Sequence, residues 1–273
     1  MRIFYFWETK KGAGFPAYLG LCVDSWRRNI SGAEVICVNH SNLAEYCGGR
    51  TDVERLKTFS LPLQSDIAAV AVLAEQPGIF LDADTVVLPG FDPAGYADAW
   101  LTMYGDASTG QGGHATNFFV ATRPDNPVLL AWLGEANHRI ARQNWPLARW
   151  KWWLRRHLRG KPARVGWSYL GNQILDPLLR GKGSGDAIDL RDVDARGYVQ
   201  TGHFVARYPH IGSYLDLWFD RQIDVAEVFD RALDHVVCLQ HSWTPPEFSA
   251  LDREAALRHP SLQARLLRAA LGA

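Results

Sequence analysis

Gly78-Ile-Phe-Leu-Asp82-Ala-Asp84-Thr-Val-Val-Leu88 is the stretch that decides the fold of this 273-residue chain. Ile79, Phe80 and Leu81 are consecutive apolar residues between a glycine and a carboxylate, so they read as a short strand buried on both faces. Pro77-Gly78 stops the element before it. That element is an apolar helix over 65–76, with Ser65-Asp66 as its predicted N-terminal cap. Further toward the N-terminus, Glu34-Val-Ile-Cys-Val38 is a second buried strand. Residues 16–29 place Leu19, Val23 and Trp26 at helical spacing, and the aromatic-rich residues 2–7 form an opening strand. Strand, helix, strand in that order predicts a parallel sheet with right-handed crossovers. Toward the C-terminus, Asn117-Phe-Phe-Val-Ala121 reads as a strand, 126–160 as largely helical and 181–185 as a loop. Val236-Val-Cys-Leu239 is a late buried strand. Leu262, Leu266 and Leu267 line one side of a final amphipathic helix. The expectation is one α/β domain over 1–273, with a mostly parallel central sheet and helical C-terminal additions.

Asp82 and Asp84 lie two residues apart. On an extended chain such residues face the same way, so both carboxylates would leave the sheet edge together. Two close anions repel unless a cation joins them. Hard oxygen ligands at a strand end suit Mg²⁺ or Mn²⁺, which also take oxygens from a diphosphate. The carboxyl ends of strands are where open α/β sheets bind ligands. The bare triplet is common: 20 Asp in 273 residues give roughly 1.5 Asp-x-Asp matches by chance. Asp192-Val-Asp194 is a second copy. It lies among Arg191, Arg196 and Gly197 with no apolar strand before it, and reads as a solvated loop.

Composition bounds the remaining classes. A hydrophobic content of 47% fits a globular chain. Cys22, Cys37, Cys47 and Cys238 have no paired spacing, so neither a zinc site nor a disulfide framework is expected. The start is too short and too soon charged for a secretory signal, and no apolar run of membrane-spanning length occurs. A cytoplasmic protein is expected. Net charge is zero but unevenly spread. From Ala136 to Leu175 there is no Asp or Glu, while nine of the 29 Lys and Arg fall there, leaving the rest of the chain at net −9. On a helix, Trp150, Trp153, Leu154 and Leu158 would share one face, flanked by Arg149, Lys151, Arg155, Arg156, Arg159 and Lys161. That pattern suits a helix lying on an anionic bilayer, with 149–161 as a peripheral contact at the inner face of the plasma membrane. The alternative is a core helix with a solvated basic face. No nucleic-acid-binding motif accompanies the run.

The residues from Ser65-Asp66 through Leu73, Gly78 and Phe80 to Asp82 and Asp84 resemble the core of the capsular-polysaccharide-synthesis and family 32 glycosyltransferases. Trp7 at the end of the first strand, Ser25-Trp26, Asn117-Phe-Phe-Val-Ala121 with Arg-Pro-Asp-Asn-Pro after it, and His241-Ser-Trp243 are similar to further pieces of that family. The resemblance is concentrated in residues 2–130. It departs at Ala69, where the family has Arg, and at Pro77, where it has Gly. What the resemblance implies is a GT-A fold with a nucleotide-sugar-binding half over 1–122. An acceptor-side half over 123–273 would contain the basic segment 139–164. It also implies Mn²⁺ or Mg²⁺ and a nucleotide-sugar donor, UDP-sugar favoured and GDP-sugar the alternative. A hexose would pass with retention to a glycan or lipid-linked acceptor in surface-polysaccharide synthesis. Carried over by position, Asp82, Asp84 and His241 would hold the metal. Trp7, Asp66, Asp82, Ser242 and Trp243 would bind the donor, and Asp84, Asn117 and Gln173 would serve catalysis. Each has a plainer reading: a turn for Asp82 and Asp84, a hydrogen-bonded core residue for His241, core packing for Trp243, and a helix cap for Asn172 beside Gln173.

Leu81-Asp82-Ala-Asp84-Thr-Val86 also fits the nucleophile motif of haloacid-dehalogenase-type phosphatases, with Asp82 attacking phosphorus. Against that, the motif lies some 80 residues into the chain, whereas that family opens with it. No later acidic pair has the expected spacing.

Overall fold

The computed structural model describes residues 1–9, 14–105, 114–143, 146–147, 150–151, 154, 165–166, 168–181, 189–192, 207–230, 232, 235–239, 241 and 244–273. The first half runs β1 (Arg2–Phe6), α1 (Ala17–Asn29), β2 (Glu34–Val38), the single turns α2 (Leu43–Tyr46) and α3 (Val53–Leu56), α4 (Leu61–Glu75), β3 (Gly78–Leu81) and β4 (Thr85–Val87). It continues through β5 (Leu101–Gly105), β6 (His114–Ala121), α5 (Pro127–Gln143), α6 (Asn172–Gly181) and β7 (Asp189–Asp192). The rest is α7 (Tyr214–Phe219), α8 (Val225–Phe229), β8 (Val236–Cys238), α9 (Pro246–Ser249), α10 (Arg253–Arg258) and α11 (Leu262–Leu271).

Six strands form the central sheet in the order β2-β1-β3-β6-β5-β7. β2, β1 and β3 are mutually parallel, β6 is antiparallel to both β3 and β5, and β7 is parallel to β5. The sheet is therefore mixed but mostly parallel, as expected. Side chains alternate across it as the strand period requires. Phe4, Phe6, Phe80 and Phe119 face a core shared with α4, α5 and α6. Ile3, Ile79, Leu81 and Val120 face the other side, where Val23 and Trp26 of α1 meet them. Gly78 permits the close pairing of β1 with β3: a Cβ there would sit 2.9 Å from both the Arg2 carbonyl oxygen and the Phe4 ring.

The helix before β3 begins earlier than its apolar pattern predicts. It starts at Leu61, with Ser60 at the N-cap position and Pro62 in the first turn, where proline has no hydrogen bond to lose. Ser65 and Asp66 therefore lie inside α4 rather than capping it, which frees their side chains. Asp192 is a second correction. It ends β7, opposite Gly105; Asp189-Leu-Arg-Asp192 is too polar to read as a strand, yet an edge position tolerates it. Asp194 lies outside the described residues, as does most of the loop expected over 181–185.

α1 braces the turn that follows β3. The Trp26 indole donates to the Thr85 carbonyl at 2.7 Å, the Asn29 amide donates to the Val87 carbonyl at 2.7 Å, and the Ser25 hydroxyl accepts from the Val87 N–H at 3.0 Å. Trp26 is fully buried, so truncation to Ala would cost about 3–5 kcal/mol. β4 pairs antiparallel with β8 in a separate two-stranded ribbon. This ribbon ties the C-terminal part of the chain to the carboxylates. At its C-terminal end α11 buries Leu262, Leu266 and Leu267, as their spacing predicts.

Candidate functional site

The carboxyl ends of β1 and β3 are adjacent, because Phe4 pairs with Phe80 two residues before each strand ends in Phe6 or passes Leu81 to Asp82. β2 flanks β1 on one side and β3 on the other, so the chain's crossovers diverge there. Such a divergence opens the crevice that ligands use in α/β sheets. Trp7 and Asp82 stand on its two lips.

Asp82 and Asp84 are not on one continuous strand. β3 stops at Leu81, the Thr85 N–H donates to the Asp82 carbonyl at 2.9 Å, and the chain turns into β4. Ala83 is buried in the turn, while Asp82 and Asp84 are half-buried. The turn keeps the two side chains within electrostatic reach. Asp66 on α4 joins them, and the Ser65 hydroxyl donates to Asp82 Oδ1 at 3.4 Å. Burial above all, then Asp84, then Asp66, push the Asp82 carboxyl well above the usual carboxylate range, against the opposing hydrogen bond from Ser65. Among the described residues no Lys or Arg forms an ion pair with Asp82 or Asp84.

β8 delivers His241 to Asp84. The Leu239 N–H donates to the Asp84 carbonyl at 2.9 Å, and the His241 backbone N–H donates to Asp84 Oδ2 at 2.5 Å. His241 Nδ1 shares a hydrogen bond with the hydroxyl of Tyr18. The His241 ring lies 5.6 Å from Trp7 and 5.8 Å from Tyr18. Trp7 in turn stands edge-to-face on Phe15 at 4.9 Å. Its indole Nε1 is buried without a hydrogen-bond partner among the described residues. A buried unpaired donor costs about 1–3 kcal/mol, so this one marks a place where a ligand acceptor would be welcome.

α6 reaches the cluster from the other side. The Trp132 indole of α5 donates to the Leu170 carbonyl at 2.6 Å, and Arg139 donates to the Tyr169 carbonyl at 2.7 Å. These bonds seat Gly171 against Asp66: a Cβ at Gly171 would fall 2.6 Å from Asp66 Oδ2. Gln173, in the first turn of α6, is exposed and donates its amide to the Ser168 hydroxyl at 3.1 Å. Asn117 is one step along β6 from Phe118, which pairs with Leu81, so its backbone is level with Asp82. The Asn117 side chain lies outside the described residues, as do Ser242 and Trp243.

The structure thus brings Trp7, Asp66, Asp82, Asp84 and His241 to one crevice, with Gly171 and Gln173 at its edge. Sequence alone did not single out Tyr18, whose tie to His241 spans 223 positions. Nor did it find the network beside Trp7, where His40 Nδ1 stands 3.1 Å from Glu8 Oε2 and His40 Nε2 stands 2.5 Å from Gln64 Oε1.

Among the described residues no three His, Cys, Asp or Glu side chains converge closely enough to enclose a metal ion. His241 meets Asp84 through its backbone, and its Nδ1 is occupied by Tyr18. The hard carboxylates of Asp82 and Asp84 form no ion pair with a Lys or Arg among the described residues. That chemistry fits Mg²⁺ or Mn²⁺, which bind through one or two carboxylates and complete their shells with water and phosphate oxygens.

Trp150, whose spacing fits either an interfacial or a core position, is 60% exposed, and Leu147 is 76% exposed. Trp153, Arg155, Arg156 and Arg159 lie outside the described residues. No helix among the described residues is long and apolar enough to cross a membrane.

No family model matches the chain, and no curated protein matches it significantly. Solved structures do. One is the galactosyltransferase LgtC in complex with donor and acceptor sugar analogues, 13% identical, over 100% of this chain and 96% of that one, with a TM-score of 0.46. Another is the PaToxG glycosyltransferase, 15% identical, over 67% of this chain and 69% of that one, with a TM-score of 0.40.

Proposed function

We propose that this chain is a metal-dependent glycosyltransferase of GT-A type that moves a hexose from a nucleotide-sugar to a glycan or lipid-linked acceptor. The observation that carries the reading is the pair of carboxylates Asp82 and Asp84 just past the carboxyl end of β3, with no ion pair to a Lys or Arg among the described residues and with Asp66 of α4 beside them. Asp82 and Asp84 would hold the cation. Bound there, a divalent ion supplies positive charge against the nucleoside diphosphate as it leaves. The unpartnered Trp7 indole N–H would donate to the donor nucleotide, and its ring, held by Phe15, would wall the crevice. Tyr18 fixes the His241 ring at the crevice. Gln173 offers an uncharged amide to sugar hydroxyls, and Asn117 stands at the right level to do the same. No carboxylate stands out as a nucleophile, which agrees with direct front-face transfer and retention. Catalysis would then rest on positioning and electrostatics. UDP-sugars are the favoured donors, and surface-polysaccharide synthesis is the favoured setting. The exposed Trp150 and the acid-free basic stretch around it suit peripheral contact with an anionic membrane bearing the acceptor.

The test is hydrolysis of a panel of UDP- and GDP-hexoses in the presence of Mn²⁺. The wild-type chain should release nucleoside diphosphate from at least one. Asp84→Asn, folded by circular dichroism, should lose at least about 100-fold of that rate, since it removes charge where the leaving group becomes more negative. Wild-type turnover in the variant would refute the assignment. Release of inorganic phosphate from generic phosphoesters would favour the Asp82-nucleophile phosphatase instead.

A further inference from the structure

An open pocket of about 660 Å³ lies between α7, the turn after it and Pro245. Asp220, at the end of α7, is buried: its side chain is 6% exposed. Oδ1 accepts the backbone N–H groups of Gln222 at 2.6 Å and Ile223 at 2.7 Å, and Oδ2 stands 2.7 Å from His210 Nε2. Burial alone would raise this carboxyl. The hydrogen bonds from His210, Ile223 and Gln222 outweigh it and hold Asp220 below its usual range. An ionised carboxylate only accepts, so His210 Nε2 carries the proton of that bond. His210 lines the pocket, and its Nδ1 has no hydrogen-bond partner among the described residues. The two backbone bonds already hold the turn, so bracing the turn does not require His210.

The other walls suit the same kind of ligand. Arg221 and Gln222 are exposed, and Arg221 has no ion pair among the described residues. Phe219 is fixed edge-to-face on Phe248 at 5.2 Å, and Leu215 is 40% exposed. Apolar and aromatic walls with a few polar groups that fix orientation are the common make-up of small-molecule sites. A chain of ring contacts runs from beside this pocket to the carboxylate crevice. Phe248 stands 5.4 Å from Tyr18, Tyr18 stands 5.8 Å from His241, and Pro245 follows His241 by four residues.

We infer that this pocket is a saccharide-binding subsite for the acceptor, with His210 Nδ1, Arg221 and Gln222 hydrogen-bonding sugar hydroxyls and Phe219 and Leu215 under the ring. The inference rests on the transferase reading for the name acceptor, but not for the binding itself.

Saturation-transfer NMR with lactose and the methyl glycosides of glucose, galactose, mannose and N-acetylglucosamine tests it, with calorimetry of UDP and Mn²⁺ run in parallel. The wild-type chain should bind at least one of these sugars. His210→Ala and Arg221→Ala should each weaken that binding by about tenfold, the effect of one or two lost hydrogen bonds, with UDP affinity unchanged. Arg221 is exposed, so its variant keeps the test valid if His210→Ala fails to fold. Sugar binding that both variants leave intact, or a wild-type chain that binds UDP but none of these sugars, overturns the subsite. Sugar binding that responds to both variants while UDP fails to bind upholds the subsite and sinks the transferase reading.

Discussion

Asp82→Asn should make the protein more stable and less able to bind metal. In the folded chain burial, Asp84 and Asp66 all disfavour the ionised Asp82 carboxyl, so its pKa lies well above the usual range. In the unfolded chain it titrates near about 3.9. The native state therefore holds the proton more tightly. The penalty is absent at acid pH, grows as pH rises past the unfolded value, and levels off above the native one. Each unit of difference corresponds to about 1.4 kcal/mol, or about 3–6 °C of melting temperature at this chain length. Asn removes the charge, keeps the shape, and can still accept the long hydrogen bond from the Ser65 hydroxyl. In chelator at neutral pH the variant should melt several degrees above wild type, and the two should converge toward pH 4. Mn²⁺ should reverse the order. At about 100 times its dissociation constant it would add roughly 2.7 kcal/mol to wild type, and far less to the variant. Differential scanning fluorimetry across pH, with and without Mn²⁺, reads both effects. A variant less stable than wild type in chelator would refute the repulsion argument. An equal response to Mn²⁺ would remove Asp82 from the metal site.

Gly171→Ala should lower donor hydrolysis at least about fivefold at a stability cost near 1 kcal/mol, because its Cβ would meet Asp66 Oδ2 at 2.6 Å and displace that carboxylate; unchanged hydrolysis would detach Asp66 from the site. The chain should also sediment with vesicles containing anionic lipid. Arg155, Arg156 and Arg159 changed together to Gln should cost about 1 kcal/mol per charge, more at low salt than at high. Trp150→Ala should shift stability by no more than about 0.5 kcal/mol, since Trp150 is 60% exposed, yet reduce the salt-resistant part of vesicle binding. Vesicle binding that is absent, or unmoved by both sets of changes, would point to a soluble acceptor.

The sequence exposed those parts of the fold that are locally overdetermined. β1, β2 and β3 are runs of aromatic and branched residues between clear punctuation; β3 is buried on both sides as its apolar run predicts, while β2, expected to be buried, lies at the sheet edge with Glu34 exposed and Val35 and Cys37 half-buried. α4 showed its apolar body but not its start, because Leu61-Pro62 looks like loop until Ser60 is seen as the N-cap residue. Thr85-Val-Val87 reads as a continuation of the strand through Asp82. Only the pairing of β4 with β8, some 150 residues later, reveals a turn between the carboxylates. Asp189–Asp192 has no apolar pattern because an edge strand does not need one. The site divides in the same way. Asp82 and Asp84 were legible because an apolar strand leads straight into the first and two carboxylates that close repel each other. Tyr18, Gly171 and the Asp220–His210 pair were not, since each acquires its role from a partner that only tertiary packing supplies.

The central claim is that Asp82 and Asp84 bind a nucleoside diphosphate through a divalent cation. Titration calorimetry of UDP and GDP into the wild-type chain, with Mn²⁺ and then with chelator, tests it most directly. The account predicts binding of one nucleotide, UDP the stronger, that weakens by at least about tenfold (1.4 kcal/mol) on chelation. The same loss should appear with Mn²⁺ present when Asp84 is changed to Asn. Affinity that survives both chelation and the Asp84 substitution would contradict it.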